Sequence, residues 1–200
     1  MMIFWQPRLV MLANTKTGST SLMAALGDKA DVLYRNPPGL KHGHLYRFQK
    51  FIKPSLDRVE DIEWEFFSVM REPLDWLGSW YRYRRRPQIT GKPKSTSGIS
   101  FDHFVQDHLS ERPSEFSIVG NQLEFFEPMK GTNPVHHIFA YEHQDKIHAF
   151  LENRFKTPLT TPRLNVSKPA DLTLGDETKA RFLERYAGEN ALYAAVRQRD

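Results

Sequence analysis

The sequence contains no cysteine, which removes disulfide cross-links, thiolate nucleophiles and cysteine-ligated metals together. It also lacks any apolar run approaching the ~20 residues that a membrane-crossing helix needs. The opening residues MMIFWQPRLV do not pair a basic segment with an apolar one, so no secretory leader is expected. Concentrated charge is missing too. The 28 Lys and Arg against 24 Asp and Glu leave a net charge of +4. That suits a small polyanionic ligand and is too diffuse for a nucleic-acid binder of this size. The expectation is therefore a cytoplasmic protein with neither a membrane span nor a nucleic-acid partner. There are no internal repeats and no low-complexity tract. The remaining composition, 40% hydrophobic over 200 residues, is enough for one domain, 1–200, with a substantial core.

Apolar segments alternate between strand-like and helix-like spacing. Strands are predicted at 9–13, 32–34, 66–70 and 135–141. Helices are predicted at 19–26, 45–52, 73–84, 101–109, 122–126 and 144–155, and at 176–195 with a break near Gly188. This alternation predicts an α/β fold, a mostly parallel central sheet flanked by helices. Ligands in such folds sit beyond the carboxyl ends of the strands. Residues 86–100 are rich in Pro, Gly, Ser and Thr and read as a loop or acceptor lid.

The first strand runs into Asn14-Thr15-Lys16-Thr17-Gly18-Ser19-Thr20 and then a helix. This is the order of a strand, an anion-cradling turn and a helix N-terminus. Gly18 allows backbone N–H groups to approach an anion. Thr17, Ser19 and Thr20 add hydroxyls, and Lys16 adds charge. An ATPase loop would carry its lysine directly after the last glycine. Here Ser19 stands there, Lys16 precedes Gly18 by two residues, and Ala13 and Asn14 replace the motif's first glycine. A nucleoside triphosphate with Mg²⁺ fits this loop poorly. A kinase or NTPase and a non-catalytic nucleotide- or nucleic-acid-binding protein are the alternatives to weigh.

A second segment follows the strand at 66–70. Arg71-Glu72-Pro73 places a cation at the strand end and a proline in the first turn of the next helix. Leu74, Leu77, Trp80 and Tyr81 keep helical spacing, and Ser79 lies two turns in. The two segments together resemble the phosphosulfate loop and the 3′-phosphate site of sulfotransferases. Those enzymes use PAPS (3′-phosphoadenosine 5′-phosphosulfate) as donor on a P-loop NTPase-like fold and release PAP. The resemblance covers most of the chain. It implies that Lys16, Thr17, Gly18, Ser19 and Thr20 hold the 5′-phosphosulfate, that Lys16 stabilises the leaving oxygen, and that Arg71 and Ser79 hold the 3′-phosphate. It implies transfer to a hydroxyl or amine of a carbohydrate or small metabolite, without a metal. With no Golgi-type anchor, it implies a bacterial, cytoplasmic member.

The base is less clearly marked. Lys41-His42 in the loop 39–44 resembles a short Lys-His segment of carbohydrate sulfotransferases, which implies His42 as general base with Lys41 beside it. His44 is the second choice; Glu60, Asp61 and Glu63 are acidic alternatives but read as a solvated approach to the third strand. A neutral imidazole suits the task near pH 7. The other histidine pairs, His103/His108 and His143/His148, are five apart and so fall on different helix faces, which argues against a zinc set. The basic run Tyr81-Arg82-Tyr83-Arg84-Arg85-Arg86 reads either as an acceptor rim for an anionic glycan or lipid headgroup, with Tyr81 and Arg82 touching substrate and Tyr81 and Tyr83 stacking on a sugar ring, or as a solvated helix end favoured by the helix dipole. The segment Val119-Gly120-Asn121-Gln122 resembles a stretch lining the acceptor cleft. Leu164-Asn165-Val166-Ser167-Lys168 resembles a late Asn-x-Ser segment, implying donor contacts from Ser167 or Lys168. Glu142 reads as a structural hydrogen-bonding residue.

Overall fold

The computed structural model describes residues 1–162, 164 and 167–199. Two short strands, β1 (Met2–Phe4) and β2 (Leu9–Met11), lead into α1 (Ser19–Leu26) and β3 (Val32–Leu33). Then come α2 (Pro38–Lys41), α3 (Leu45–Arg47), a π-wound turn (Phe48–Ile52) and α4 (Lys53–Leu56). The second half runs β4 (Glu65–Met70), α5 (Pro73–Arg84), α6 (Phe101–His108), α7 (Gln122–Phe126), β5 (His137–Ala140), α8 (Gln144–Phe155), α9 (Asp176–Arg185) and α10 (Ala187–Arg199).

The five strands form one sheet in the order β3-β1-β2-β4-β5. The sheet is mixed. β2–β4 and β4–β5 pair parallel, whereas β1 is antiparallel to both β2 and β3. The expected parallel sheet is present at the centre, and β1 is the strand that sequence reading missed. Its residues MIF are all buried, so no alternation marks it.

Successive side chains of each strand go to opposite faces. Met2, Phe4, Leu9, Met11, Phe67 and Val69 pack on one face against Leu22, Met23 and Leu26 of α1 and Ile147 and Leu151 of α8. Ile3, Val10, Leu12 and Phe66 pack on the other against Leu45, Phe48, Ile52 and Trp64. Met70 and Ala140 meet Phe126, Tyr193 and Val196. Parallel pairing turns the carboxyl ends of β2, β4 and β5 toward one edge, where residues 14–18, Arg71 and Tyr141 follow directly. A third apolar cluster joins Trp76, Leu77 and Tyr81 of α5 to Phe104 of α6 and Phe182 of α9, which holds α5 firmly against that edge. The helix expected at 45–52 is interrupted by the π-wound turn, and part of the loop expected at 39–44 is the short helix α2.

Candidate functional site

The loop after β2 is fixed from several sides. Asn14 is buried, and its amide donates to Val69 O and to Gln122 Oε1, both at 3.1 Å. The Thr17 hydroxyl donates to Asn14 O at 3.0 Å, and Trp76 Nε1 donates to Thr15 O at 2.8 Å. Thr17 therefore shapes the loop from within. Lys16 and Gly18 both have positive φ, at 61° and 74°. Gly18 caps α1 without a side-chain bond, and its carbonyl accepts from Ser21 and Leu22 N–H. A Cβ on Gly18 would lie 3.3 Å from Tyr141 Cε2. Gly18→Ala is accordingly expected to cost about 1–2 kcal/mol from the left-handed backbone. Denaturant unfolding is the check, and an alanine variant as stable as the parent would contradict this.

Three clefts open along this edge. The first, ≈ 440 Å³, is lined by Lys16, Gly18, Ser19, Thr20, Lys41 and His42, together with Arg71, Ser79 and Tyr83. The second, also ≈ 440 Å³, shares Gly18, Arg71 and Ser79 and adds Arg82, Gln144 and Ser167, with Tyr141, Ile147 and Leu164 as its apolar wall. The third, ≈ 790 Å³, is bordered by Arg82, Arg86, Ser167 and Lys168. Every phosphate-loop residue expected from the sequence, and both members of the Arg71/Ser79 pair, thus lies on two adjoining clefts. Asn165 and Val166 of the late segment lie outside the described residues.

Lys16 Nζ sits 4.3 Å from the Tyr83 ring centre and 5.5 Å from that of Trp80. Burial first, and then the guanidinium charges of Arg86, Arg71 and Arg82, lower its pKa to about 7. Arg71 stacks 4.6 Å over the Tyr141 ring, and its Nη1 donates to Lys16 O at 3.2 Å. Asp75 holds the same guanidinium at 2.5 Å and Arg82 at 3.1 Å. A bound phosphate thus competes with a carboxylate for these cations. Lys41 Nζ reaches Thr20 Oγ1 at 3.5 Å.

The short helix α2 presents His42 to the first cleft. His42 Nδ1 lies 2.7 Å from Ala13 O, a contact that requires the proton on Nδ1. The neutral ring then carries its lone pair on Nε2. Burial, and secondarily the charges of Lys41 and Lys16, hold its pKa below the ordinary 6.5, with the Ala13 carbonyl pulling upward. A neutral imidazole with an accepting Nε2 is the state a general base needs.

Three sequence expectations are corrected. Tyr81 does not touch substrate: it is 1% exposed in the core, and its hydroxyl donates to Ile99 O at 2.6 Å. His44 does not join the loop. It caps α3, accepting from Arg47 N–H, and lines a separate cleft with Tyr46 and Glu124. Glu60, Asp61 and Glu63 are exposed and precede β4, the solvated approach expected of them, and so lie at the sheet end opposite Arg71. Gln122 lines no acceptor cleft: it is fully buried, and its Oε1 accepts from Arg71 N–H at 3.0 Å. Its Nε2 donates to Arg71 O at 2.8 Å and to Glu189 Oε1 at 3.2 Å. Gln122, Asn14, Trp76 and Tyr141 are the site-building residues that sequence reading did not assign. Asn14 alone carried a signal, as a polar side chain ending an apolar strand.

Glu142 accepts from the Tyr193 hydroxyl at 2.7 Å, the structural role expected of it. Among the described residues no three His, Asp or Glu side chains form a metal-sized cluster, and no helix is long and apolar enough to cross a membrane. No family model, curated protein or solved structure matches the chain.

Proposed function

We propose that the chain is a PAPS-dependent sulfotransferase, built on the P-loop-like sulfotransferase fold, that moves a sulfuryl group to a hydroxyl or amine acceptor. One observation carries the reading. Two anion-binding elements from different strands, the Lys16–Thr20 loop and the Arg71/Ser79 pair, open onto adjoining clefts with an imidazole base candidate on the loop side. Two anion sites on adjoining clefts suit a nucleotide phosphorylated at both its 3′ and 5′ positions. The apolar wall of Tyr141, Ile147 and Leu164 suits its base.

In this reading Gly18, Ser19 and Thr20 hold the 5′-phosphosulfate at the helix N-terminus, where the dipole favours an anion. Arg71 and Ser79 hold the 3′-phosphate, with Arg82 and Ser167 at the edge of the same cleft. His42 Nε2 takes the acceptor's proton as the acceptor oxygen or nitrogen bonds to sulfur. The sulfur–oxygen bond to the 5′-phosphate breaks, and its electron pair stays on the phosphate oxygen. The Lys16 ammonium offsets that developing charge. Positioning and charge stabilisation supply most of what such a transfer needs.

Calorimetric titration of the protein with PAP, and separately with ATP and Mg²⁺, tests the donor site. PAP is expected to bind and ATP to be weaker. Lys16→Ala and Arg71→Ala are each expected to weaken PAP by at least about tenfold, the scale of one charge-assisted hydrogen bond. Preference for ATP, or PAP affinity indifferent to both substitutions, would point to the kinase or non-catalytic alternatives.

A further inference from the structure

The largest cleft on this edge is not needed for the donor. Its ≈ 790 Å³ lies in the range of sites for drug-sized ligands. It shares Tyr83 and Arg86 with the first cleft, and Arg82 and Ser167 with the second. It therefore adjoins the cleft that His42 lines. We propose that this cleft is the acceptor subsite and that the acceptor is a hydroxyl-bearing organic anion. Its anionic group sits among Arg82, Arg85, Arg86 and Lys168, and its hydroxyl enters the first cleft. This rests on the sulfotransferase reading and adds the acceptor's charge class to it.

Charge carries the argument. Four cationic side chains and one carboxylate, Asp171, line the cleft, and Arg82 is also paired with Asp75 at 3.1 Å. The Asp171 carboxylate is engaged by the Thr173 N–H at 2.9 Å and the Thr173 hydroxyl at 2.6 Å. The donor's two phosphate positions are assigned to the Lys16–Thr20 loop and the Arg71/Ser79 pair, and Arg85 and Lys168 line neither donor cleft, so the four cations exceed what the donor needs.

They are also held in place. The Arg85 guanidinium lies 5.4 Å from the centre of the buried Tyr81 ring, and its Nη1 donates to the Tyr81 hydroxyl at 2.8 Å. Arg86 lies 4.7 Å over the Tyr83 ring. Cations pre-positioned on aromatic rings lose less freedom when an anion arrives. A solvated helix end would leave its arginines splayed. Here the run is divided instead: Arg84 turns inward to donate to Glu115 O and Ile118 O, and its neighbours line the cleft. Ile89, Pro169 and Ala170 give the acceptor's body an apolar surface. The Tyr83 ring is covered by Lys16 and Arg86, so ring stacking on a sugar is not the recognition mode.

The test uses a matched pair that differs only at C6, 4-nitrophenyl β-D-glucuronide and 4-nitrophenyl β-D-glucoside, titrated into protein saturated with PAP. The glucuronide is expected to bind about fivefold tighter, on the scale of exposed ion pairs. Arg85→Glu is expected to abolish that preference and Arg85→Lys to retain most of it, with PAP affinity unchanged in both. Equal binding of the two probes, no binding of either, or a preference that survives Arg85→Glu would overturn the subsite. Failure of PAP itself to bind in the first titration would instead strike the sulfotransferase reading.

Discussion

Replacing Gln122 by leucine is expected to lower the melting temperature by about 10 °C and to impair the donor site as well. The side chain is fully buried between the loop after β2 and the start of the segment after β4. Its Oε1 accepts from the Asn14 amide and from Arg71 N–H, and its Nε2 donates to Arg71 O and Glu189 Oε1. Leucine fills much of the same space but strips Arg71 N–H and O of the side chain they bond, and removes one bond each from Asn14, which keeps Val69 O, and Glu189, which keeps the backbone N–H of residue 122. Each orphaned group costs about 1–3 kcal/mol. A total near 3–5 kcal/mol corresponds to about 2–4 °C per kcal/mol in a chain of this length. Thermal unfolding followed by circular dichroism reads this directly, and a shift below about 3 °C would show that the network is dispensable. Burial already pushes the Glu189 carboxyl above its ordinary pKa, so it suffers most from losing a donor. Gln122→Leu combined with Glu189→Leu is therefore expected to be less destabilised than the two single losses added together. Weaker PAP binding should accompany Gln122→Leu, because the backbone at Arg71 loses both of its bonds to the side chain.

The contrast between Gln122 and Arg71 shows what could be read from sequence. Residues 14–20 and 71–79 were legible because their information is local. A strand end, a glycine, a helix start and the hydroxyls between them lie within a few positions of one another. The helices 19–26, 73–84, 122–126 and 144–155 were legible for the same reason, through spacing and, for α5, through Pro73 in its first turn. Gln122 is fifty-one residues from Arg71 and more than a hundred from Asn14. Nothing in its neighbourhood distinguishes it from an exposed glutamine in a short helix. Tyr81 misled for the opposite reason. It belongs to a basic, aromatic run, but the helix rotates it inward toward Phe101 and Phe104 while Arg82, Arg85 and Arg86 turn outward. A run of charges says where cations occur and not which of its members share a face. His42 and His44 were separable only by geometry. Both lie in one short segment, but α2 turns His42 to the loop and the start of α3 consumes His44.

Binding of PAP is expected to weaken by up to about 100-fold between pH 7 and pH 9, and Lys16 is the cause. In the free protein its pKa is lowered to about 7, first by burial and then by Arg86, Arg71 and Arg82. A phosphate dianion beside it favours the ammonium and raises that pKa. Above pH 7 the free protein holds Lys16 neutral and the complex holds it charged, so binding takes up one proton. Each pH unit in that window then costs about tenfold in affinity, until the pKa of the complex is reached. The ligand's own phosphates lose their second proton near pH ~6, so they contribute little to this slope. Stability of the unliganded protein runs the other way. Between about pH 7 and 10.5 the unfolded chain keeps a proton that the folded chain has shed, so Lys16 makes the protein more stable as pH rises through that window. A guanidinium stays charged throughout, so Lys16→Arg should flatten the binding profile, whatever its affinity at pH 7. Titrations at pH 7, 8 and 9, each in two buffers of different ionisation enthalpy, measure both the slope and the proton uptake. A flat parent profile, or a slope that persists in Lys16→Arg, would mean that Lys16 does not meet the phosphate. The burial and the cationic neighbours that make this lysine costly in the empty protein are what give it a full charge to offer once the anion is present.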